Sequence, residues 1–151
     1  MKISENLERK LKMRAITRDM IKIYKIDKLG YDFMGYTFDK KDSLSFHHLI
    51  VPKKDCKKKG MGRGLEIWNG AVLNRDTSHD YLHIIEKIDR ELFFAITSIM
   101  IRENINQEID IDSLKEIREV LLYFEKEHIN DMSKRGQKII KPSYITDRIK
   151  L

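Results

Sequence analysis

Two short apolar stretches, LSFHHLIV at residues 44–51 and LEIWNGAVL at residues 65–73, decide the fold that we expect for this chain. Both are rich in β-branched and aromatic residues, which favour strands, and a basic loop containing three glycines separates them. The next stretch, DTSHDYLHIIEKI at residues 76–88, opens with three residues that favour a helix N-cap and continues with apolar residues at helical spacing. The predicted order is therefore strand, loop, strand and helix.

Helices are predicted on both sides of this hairpin. Residues 4–23 carry apolar side chains at helical spacing, and the basic residues lie mostly off that stripe. The stripe consists of Leu7, Leu11, Ala15, Ile16, Met20 and Ile23. The helix that begins near residue 76 is expected to continue to about residue 101, and Ser113 with Glu116 forms a capping box that opens another helix.

Two finer features are predicted in the middle of the chain. Residues 33–38 have the composition of a further short strand. The dipeptide Asn69-Gly70 is typical of a type I′ turn, which here would join strands at residues 65–68 and 71–73.

The chain has 151 residues, of which 41% are hydrophobic and 36% charged, a composition typical of one soluble globular domain. We predict an α+β fold in a single domain over residues 1–151, with an N-terminal helix within residues 1–30. A hairpin and helix core covers residues 44–86, and a helical part with a basic tail covers residues 87–151. Its one cysteine, Cys56, excludes an internal disulfide and zinc sites that need two thiolates. The start resembles no signal peptide, and no stretch is apolar enough for a membrane span, so a cytoplasmic location without membrane binding is expected.

The charges are unevenly distributed around a net charge of +6. The loop at residues 53–63 has six basic residues against one acidic residue, and residues 134–150 repeat that ratio, whereas residues 103–127 have eight acidic residues against three basic ones. Clustered basic residues displace counterions from a phosphate backbone, so the pattern favours nucleic acid as a partner. The expected nucleic-acid-binding residues are Lys53, Lys54, Lys57, Lys58, Lys59 and Arg63.

Four of the five histidines form two pairs. His79 and His83 are four residues apart near a helix start, which places them one turn apart on one face, where both can bind one cation. His47 and His48 are neighbours in a strand, so their side chains point to opposite faces and are expected to have different roles. One of them can complete a three-histidine metal site, and the other, with an ordinary imidazole pKa of ~6.5, suits a general base.

These residues resemble the HNH nucleases, whose fold is also called the ββα-metal or His-Me finger. The His-His, Asn and His-x-x-x-His order is most similar to that of the colicin and pyocin DNases, over roughly residues 44–86. The resemblance implies a divalent-metal-dependent endonuclease that hydrolyses phosphodiester bonds of DNA. It implies His47, His79 and His83 as metal ligands, with His48 as the general base and Asn69 as the residue that orients it.

Several alternatives stay open at this point. The ion is one of Mg²⁺, Mn²⁺, Ni²⁺ or Zn²⁺, because imidazole ligands suit transition metals and open positions also admit Mg²⁺. Asn74 is a second candidate for the orienting asparagine. The alternative functions are a non-catalytic nucleic-acid-binding module with a structural metal and a helical interaction protein that uses its acidic segment. RNA is not excluded as the partner, and the terminal helices allow a homodimer.

Overall fold

The computed structural model describes residues 5–50 and 66–142 of the chain. These residues form five α-helices and a two-stranded antiparallel sheet, which confirms the α+β class. In chain order the elements are α1 (Glu5–Ile23), α2 (Ile26–Leu29), β1 (Leu44–His48), β2 (Gly70–Asn74), α3 (Asp80–Ile88), α4 (Arg90–Asn106) and α5 (Ile111–Lys134). No described helix has the length and apolar content needed to cross a bilayer.

The two strands pair in the register that places Leu44 opposite Asn74 and His48 opposite Gly70. Gly70 is required there by packing, because a Cβ atom at this position would lie 2.1 Å from the Phe46 ring. The predicted type I′ turn is wrong: Gly70 has a φ of −122°, whereas that turn needs positive φ. Ile67–Asn69 instead forms a 3-10 turn where a strand was predicted, and that turn leads directly into β2.

The core lies between the sheet and the helices. Its fully buried side chains come from every region, including Met20 of α1, Leu73 of β2, Ile85 of α3 and Phe124 of α5. The N-terminal helix matches its predicted limits, and the predicted stripe is buried only in part, since Met20 is fully buried and Ile16 packs against the core. Leu7, Leu11 and Ile23 are 46%, 47% and 41% exposed, and the positions that are buried against the core are Thr17, Met20 and Ile21.

The strand predicted at residues 33–38 is wrong. This segment is a turn whose ends form an isolated bridge between Tyr31 and Thr37. The buried Asp32 carboxylate organises it, because Oδ1 accepts hydrogen bonds from the backbone N–H groups of Met34 and Tyr36 at 2.9 and 3.0 Å. A side chain thus satisfies the backbone groups that a strand partner would have satisfied.

The helical limits near residues 89 and 113 also differ from the predictions. The helix expected over about residues 76–101 is divided at Asp89, which has extended backbone angles and caps α4 by accepting from the N–H of Leu92. The next helix begins earlier than the capping box indicated, because Asp110 accepts from the N–H of Ser113 at 2.6 Å. Ser113 is therefore inside the first turn of α5.

Candidate metal centre

Three of the predicted site histidines lie together between β1 and the start of α3. The ring centroid of His47 is 5.1 Å from that of His79 and 5.4 Å from that of His83, and the two helix histidines are 4.9 Å apart. One nitrogen from each ring lies within 4.8 Å of the other two, so the three side chains are arranged to bind a single ion.

Local structure explains how residues so distant in sequence meet. His47 shares the face of β1 that also carries Ser45, because alternate strand residues point the same way. His79 ends a π-helical turn at residues 75–79, and His83 lies one turn further along in α3. The antiparallel pairing brings β1 beside β2, and β2 leads directly into that turn. His79 and His83 therefore lie next to the face of β1 that carries His47.

The surroundings of His47 favour a metal ligand over a charged imidazole. It is 3% exposed, and its Nε2 atom has no hydrogen-bond partner among the residues that the structure describes. Burial lowers the pKa of His47 well below its ordinary value, and the neighbouring imidazoles of His79, His83 and His48 lower it further. A neutral ring with a buried, unused nitrogen is the form that binds a metal ion.

The two helix histidines each have a partner on the other ring nitrogen. His79 Nδ1 lies 2.6 Å from the hydroxyl oxygen of Ser45, and His83 Nδ1 lies 3.2 Å from Glu86 Oε1. The Ser45 hydroxyl also donates to the Leu73 carbonyl at 3.2 Å, so its oxygen can accept the Nδ1 proton of His79. Partners of this kind fix the tautomer and leave Nε2 available to a metal.

The residues present therefore fit a divalent ion. They supply three imidazole nitrogen donors, and the other ring nitrogen of His79 and of His83 has a hydrogen-bond partner, as is usual for metal-bound histidines. A tetrahedral zinc site separates its ligand nitrogens by ~3.4 Å, so rotation of the more accessible His79 and His83 side chains would close the site. Three histidine donors leave at least one coordination position for water or a substrate oxygen.

His48 does not join this cluster. Its ring lies edge-on to that of Phe46 with centroids 5.0 Å apart, and Phe46 is two residues earlier on the same face of β1. His47 and His48 therefore lie on different faces of β1, as predicted from their adjacent positions in a strand. Whether His48 acts as a base stays a prediction.

Asn69 holds the end of β1 that carries His48. Its side-chain oxygen accepts from the N–H of Ile50 and its carbonyl accepts from the N–H of Leu49, both at 2.8 Å. Asn74 lies at the other end of the hairpin, opposite Leu44, and its side chain caps the π-helical turn by accepting from the N–H of Asp76. Asn69 therefore lies next to the His48 end of the hairpin, and Asn74 lies at the opposite end.

The pattern of paired histidines did not identify three supporting residues. Ser45 lies within hydrogen-bonding distance of His79, and Glu86 lies within hydrogen-bonding distance of His83. The signals that could have indicated them are that Ser45 is two residues before His47 in the strand and that Glu86 is three residues after His83 in the helix. No comparable spacing in the sequence indicated the role of Asp32. Its Oδ2 atom accepts from the N–H of Asn74 at 2.8 Å and from the Ser78 hydroxyl, so it fixes the turn that carries His79.

The basic segments predicted from the sequence lie wholly or partly outside the described residues. The six basic residues of the loop at positions 53–63 lie outside the described residues, as do the last residues of the basic tail from 143 onward. The fifth histidine, His128, is not part of the cluster, and its Nε2 atom lies 2.9 Å from Oδ2 of Asp89. Its role is to join α5 to the start of α4.

Comparisons of this chain with family models, with curated proteins and with solved structures found no match.

Proposed function

We propose that this protein is a divalent-metal-dependent endonuclease of the HNH type, with residues 44–86 as its ββα-metal core. The observation that carries the proposal is the meeting of His47, His79 and His83, with the buried His47 nitrogen left without a partner in the described structure. The order of strand, strand and helix around that cluster is the one that the resemblance implies. The basic composition of the chain is consistent with a nucleic-acid substrate, for which DNA is proposed.

In this proposal the three histidines hold one ion, which supplies Lewis-acid stabilisation to the charge that develops on the phosphate oxygens. His47 contributes a rigid ligand from the sheet, because its ring is buried and packs 6.2 Å from the ring of Phe93. His79 and His83 contribute more accessible ligands from the helix side. Ser45 and Glu86 keep those two rings in the tautomer that presents Nε2.

His48 is the proposed general base. It accepts the proton of the water that attacks the scissile phosphate, and a neutral imidazole suits this step near neutral pH. Asn69 supports it by anchoring the backbone at Leu49 and Ile50, directly after the base. Because the His48 ring is beside Phe46, substrate would have to bind at that edge of β1 for the proton transfer to occur.

The test is nicking of supercoiled plasmid DNA by the purified protein with Mg²⁺, Mn²⁺, Ni²⁺ or Zn²⁺. We expect wild type to cleave and His48→Ala to lose at least about 100-fold in rate while it still binds metal, since general-base catalysis contributes about 10²–10⁴-fold. His83→Ala should lose both metal binding and cleavage. His128→Ala is the matched control, because it removes an imidazole outside the cluster, and it should retain cleavage.

Two results would contradict the proposal. One is the absence of cleavage with every metal and with both DNA and RNA. The other is full activity in His48→Ala or in His83→Ala, which would show that the cleaving agent is a contaminant or another site.

A structural metal site is the second candidate function, and the burial of His48 Nε2 favours it, because a general base has to reach the attacking water. This alternative predicts that a chelator lowers the melting temperature of the protein and that salt-sensitive DNA binding occurs without turnover.

A further inference from the structure

Helix α1 has a row of basic side chains at a spacing of four residues, at Lys10, Arg14, Arg18 and Lys22. All four are exposed, and residues four apart lie on the same side of a helix. The row extends over about 18 Å at 1.5 Å per residue. One strand of a B-form duplex presents a phosphate about every 3.4 Å, so the row is as long as about five phosphates.

The row forms one wall of a groove of about 1130 Å³ that is bounded on the other side by β1 and the turns beside it. Lys41 and Arg75 add two basic side chains to that other wall. Ser45 also lines the groove, and its hydroxyl contacts His79. The groove therefore extends from the surface of α1 to a residue that touches the candidate metal centre.

The lining of the groove has an excess of positive charge. It has six basic residues and three acidic residues, and the acidic ones are Asp19, Asp27 and Asp42. None of the four basic residues of α1 forms an ion pair with any residue in the described parts of the chain, whereas Lys41 lies 3.8 Å from Asp27. Four unpaired cations along one groove form a surface for a polyanion.

We propose that this groove binds the phosphate backbone of the nucleic-acid strand that is presented to the histidine cluster. The proposal rests on the proposed nuclease function for its choice of partner. It assigns binding of the nucleic-acid strand to α1, at residues separate from the basic loop at positions 53–63. A phosphate chain is proposed as the occupant because cations predominate in the lining and its apolar residues from α1, Met13 and Ile21, are partly or fully buried. Leu7 and Leu11 are exposed on the same helix but do not line the groove, and the vesicle measurement below tests whether they support membrane binding instead.

The test compares two variants of equal charge change. The groove variant replaces Lys10, Arg14, Arg18 and Lys22 with Gln. The control variant replaces four exposed lysines outside the groove and outside both basic segments with Gln, at Lys25, Lys28, Lys87 and Lys126. Binding to a fluorescent 20-nucleotide single strand and to the matching duplex is measured by anisotropy in EDTA at several salt concentrations, so that no cleavage occurs.

The groove variant should bind at least about 100-fold more weakly than wild type near 0.1 M salt. The slope of log K against log salt should decrease by about 3, since each lost phosphate contact removes about 0.7–0.9. The control should lose much less. A double variant, Arg14→Gln with Arg18→Gln, should show about half of that decrease in slope, and it serves if the quadruple variant fails to fold.

Three results would overturn the groove assignment. They are unchanged binding in the groove variant, an equal loss in the control variant, and tighter groove-dependent binding to phosphatidylglycerol vesicles than to either oligonucleotide. Because binding is measured without metal, the outcome is independent of cleavage. A nuclease that cleaves but binds through another surface overturns this inference alone, and a protein that binds through the groove but never cleaves overturns the nuclease proposal alone.

Discussion

The hydroxyl group of Ser45 provides a sharp test of the metal centre, because its removal leaves all three proposed ligands in place. In the structure Ser45 Oγ lies 2.6 Å from His79 Nδ1 and 3.2 Å from the Leu73 carbonyl oxygen. The arrangement that suits a metal has the His79 N–H donating to Ser45 and the Ser45 O–H donating to Leu73. Without the hydroxyl, His79 has lost this support for both its tautomer and its ring orientation.

We expect Ser45→Ala to weaken metal binding by about 10- to 100-fold, the usual effect of losing such a partner. That range corresponds to about 1.4–2.7 kcal/mol of binding free energy. The assay is competition for Zn²⁺ against a chromophoric chelator at pH 7, with thermal unfolding in EDTA to verify that the apo fold is unchanged. Ser98→Ala is the control, because the Ser98 hydroxyl donates to the Phe94 carbonyl on an exposed part of α4.

An affinity for Zn²⁺ that is within a factor of two of wild type would refute this reasoning. It would mean that the Ser45 contact does not orient His79 in the metal-binding state. A loss of equal size in Ser98→Ala would show that the effect is not specific to the site.

Three further predictions concern the fold that positions this site. Burial raises the pKa of Asp32 to about 6 from 3.8, so its contribution to stability is full below pH 3.8 and is lost as pH rises to about 6. The unfolding free energy of wild type relative to Asp32→Asn, from urea titrations, should therefore fall between about pH 4 and 6 and then level off, and a flat difference would contradict this. Gly70→Ala should cost about 1–3 kcal/mol because its Cβ would overlap the Phe46 ring, and an unchanged urea midpoint would exclude that clash. Asp89→Ala should lower the melting temperature by about 2–4 °C, since it removes a cap worth about 1 kcal/mol from the N–H of Leu92; no change in calorimetry would show that the cap is dispensable.

The histidine spacing predicted the group of His47, His79 and His83 because the signal is local at each half. Two residues four apart lie on one face of any helix, which places His79 and His83 together. Neighbouring residues point to opposite faces of any strand, which separates His47 from His48. The apolar strand patterns around them predicted the hairpin that brings the halves together. The supporting contacts of Ser45 and Glu86 could not be predicted with equal force, because serine and glutamate occur at such spacings throughout soluble proteins.

Three of the errors in the fold arise at aspartates whose side chains accept hydrogen bonds from backbone N–H groups. Asp32 accepts from two N–H groups of the turn at residues 33–38, which made a β-rich sequence fold as a loop. Asp89 and Asp110 cap helices at positions without a glycine or proline to mark them. A single sequence does not show which of its many aspartates will be used in this way.

The burial of Leu7 and Leu11 in α1 was mispredicted for a different reason. Leu7 and Leu11 continue the apolar stripe in sequence, but the core reaches only the later turns of the helix, at Thr17, Met20 and Ile21. Hydrophobic periodicity shows that a helix has an apolar side, whereas the residues that become buried depend on the element that packs against it.

The most direct measurement for the central claim is a crystal structure of the protein grown with Zn²⁺ or Mn²⁺ and measured at the absorption edge of the metal. We predict one anomalous peak about 2.0–2.2 Å from a nitrogen of each of His47, His79 and His83. Fully ordered histidines with no peak between them, or a peak bound elsewhere, would contradict the existence of this metal centre.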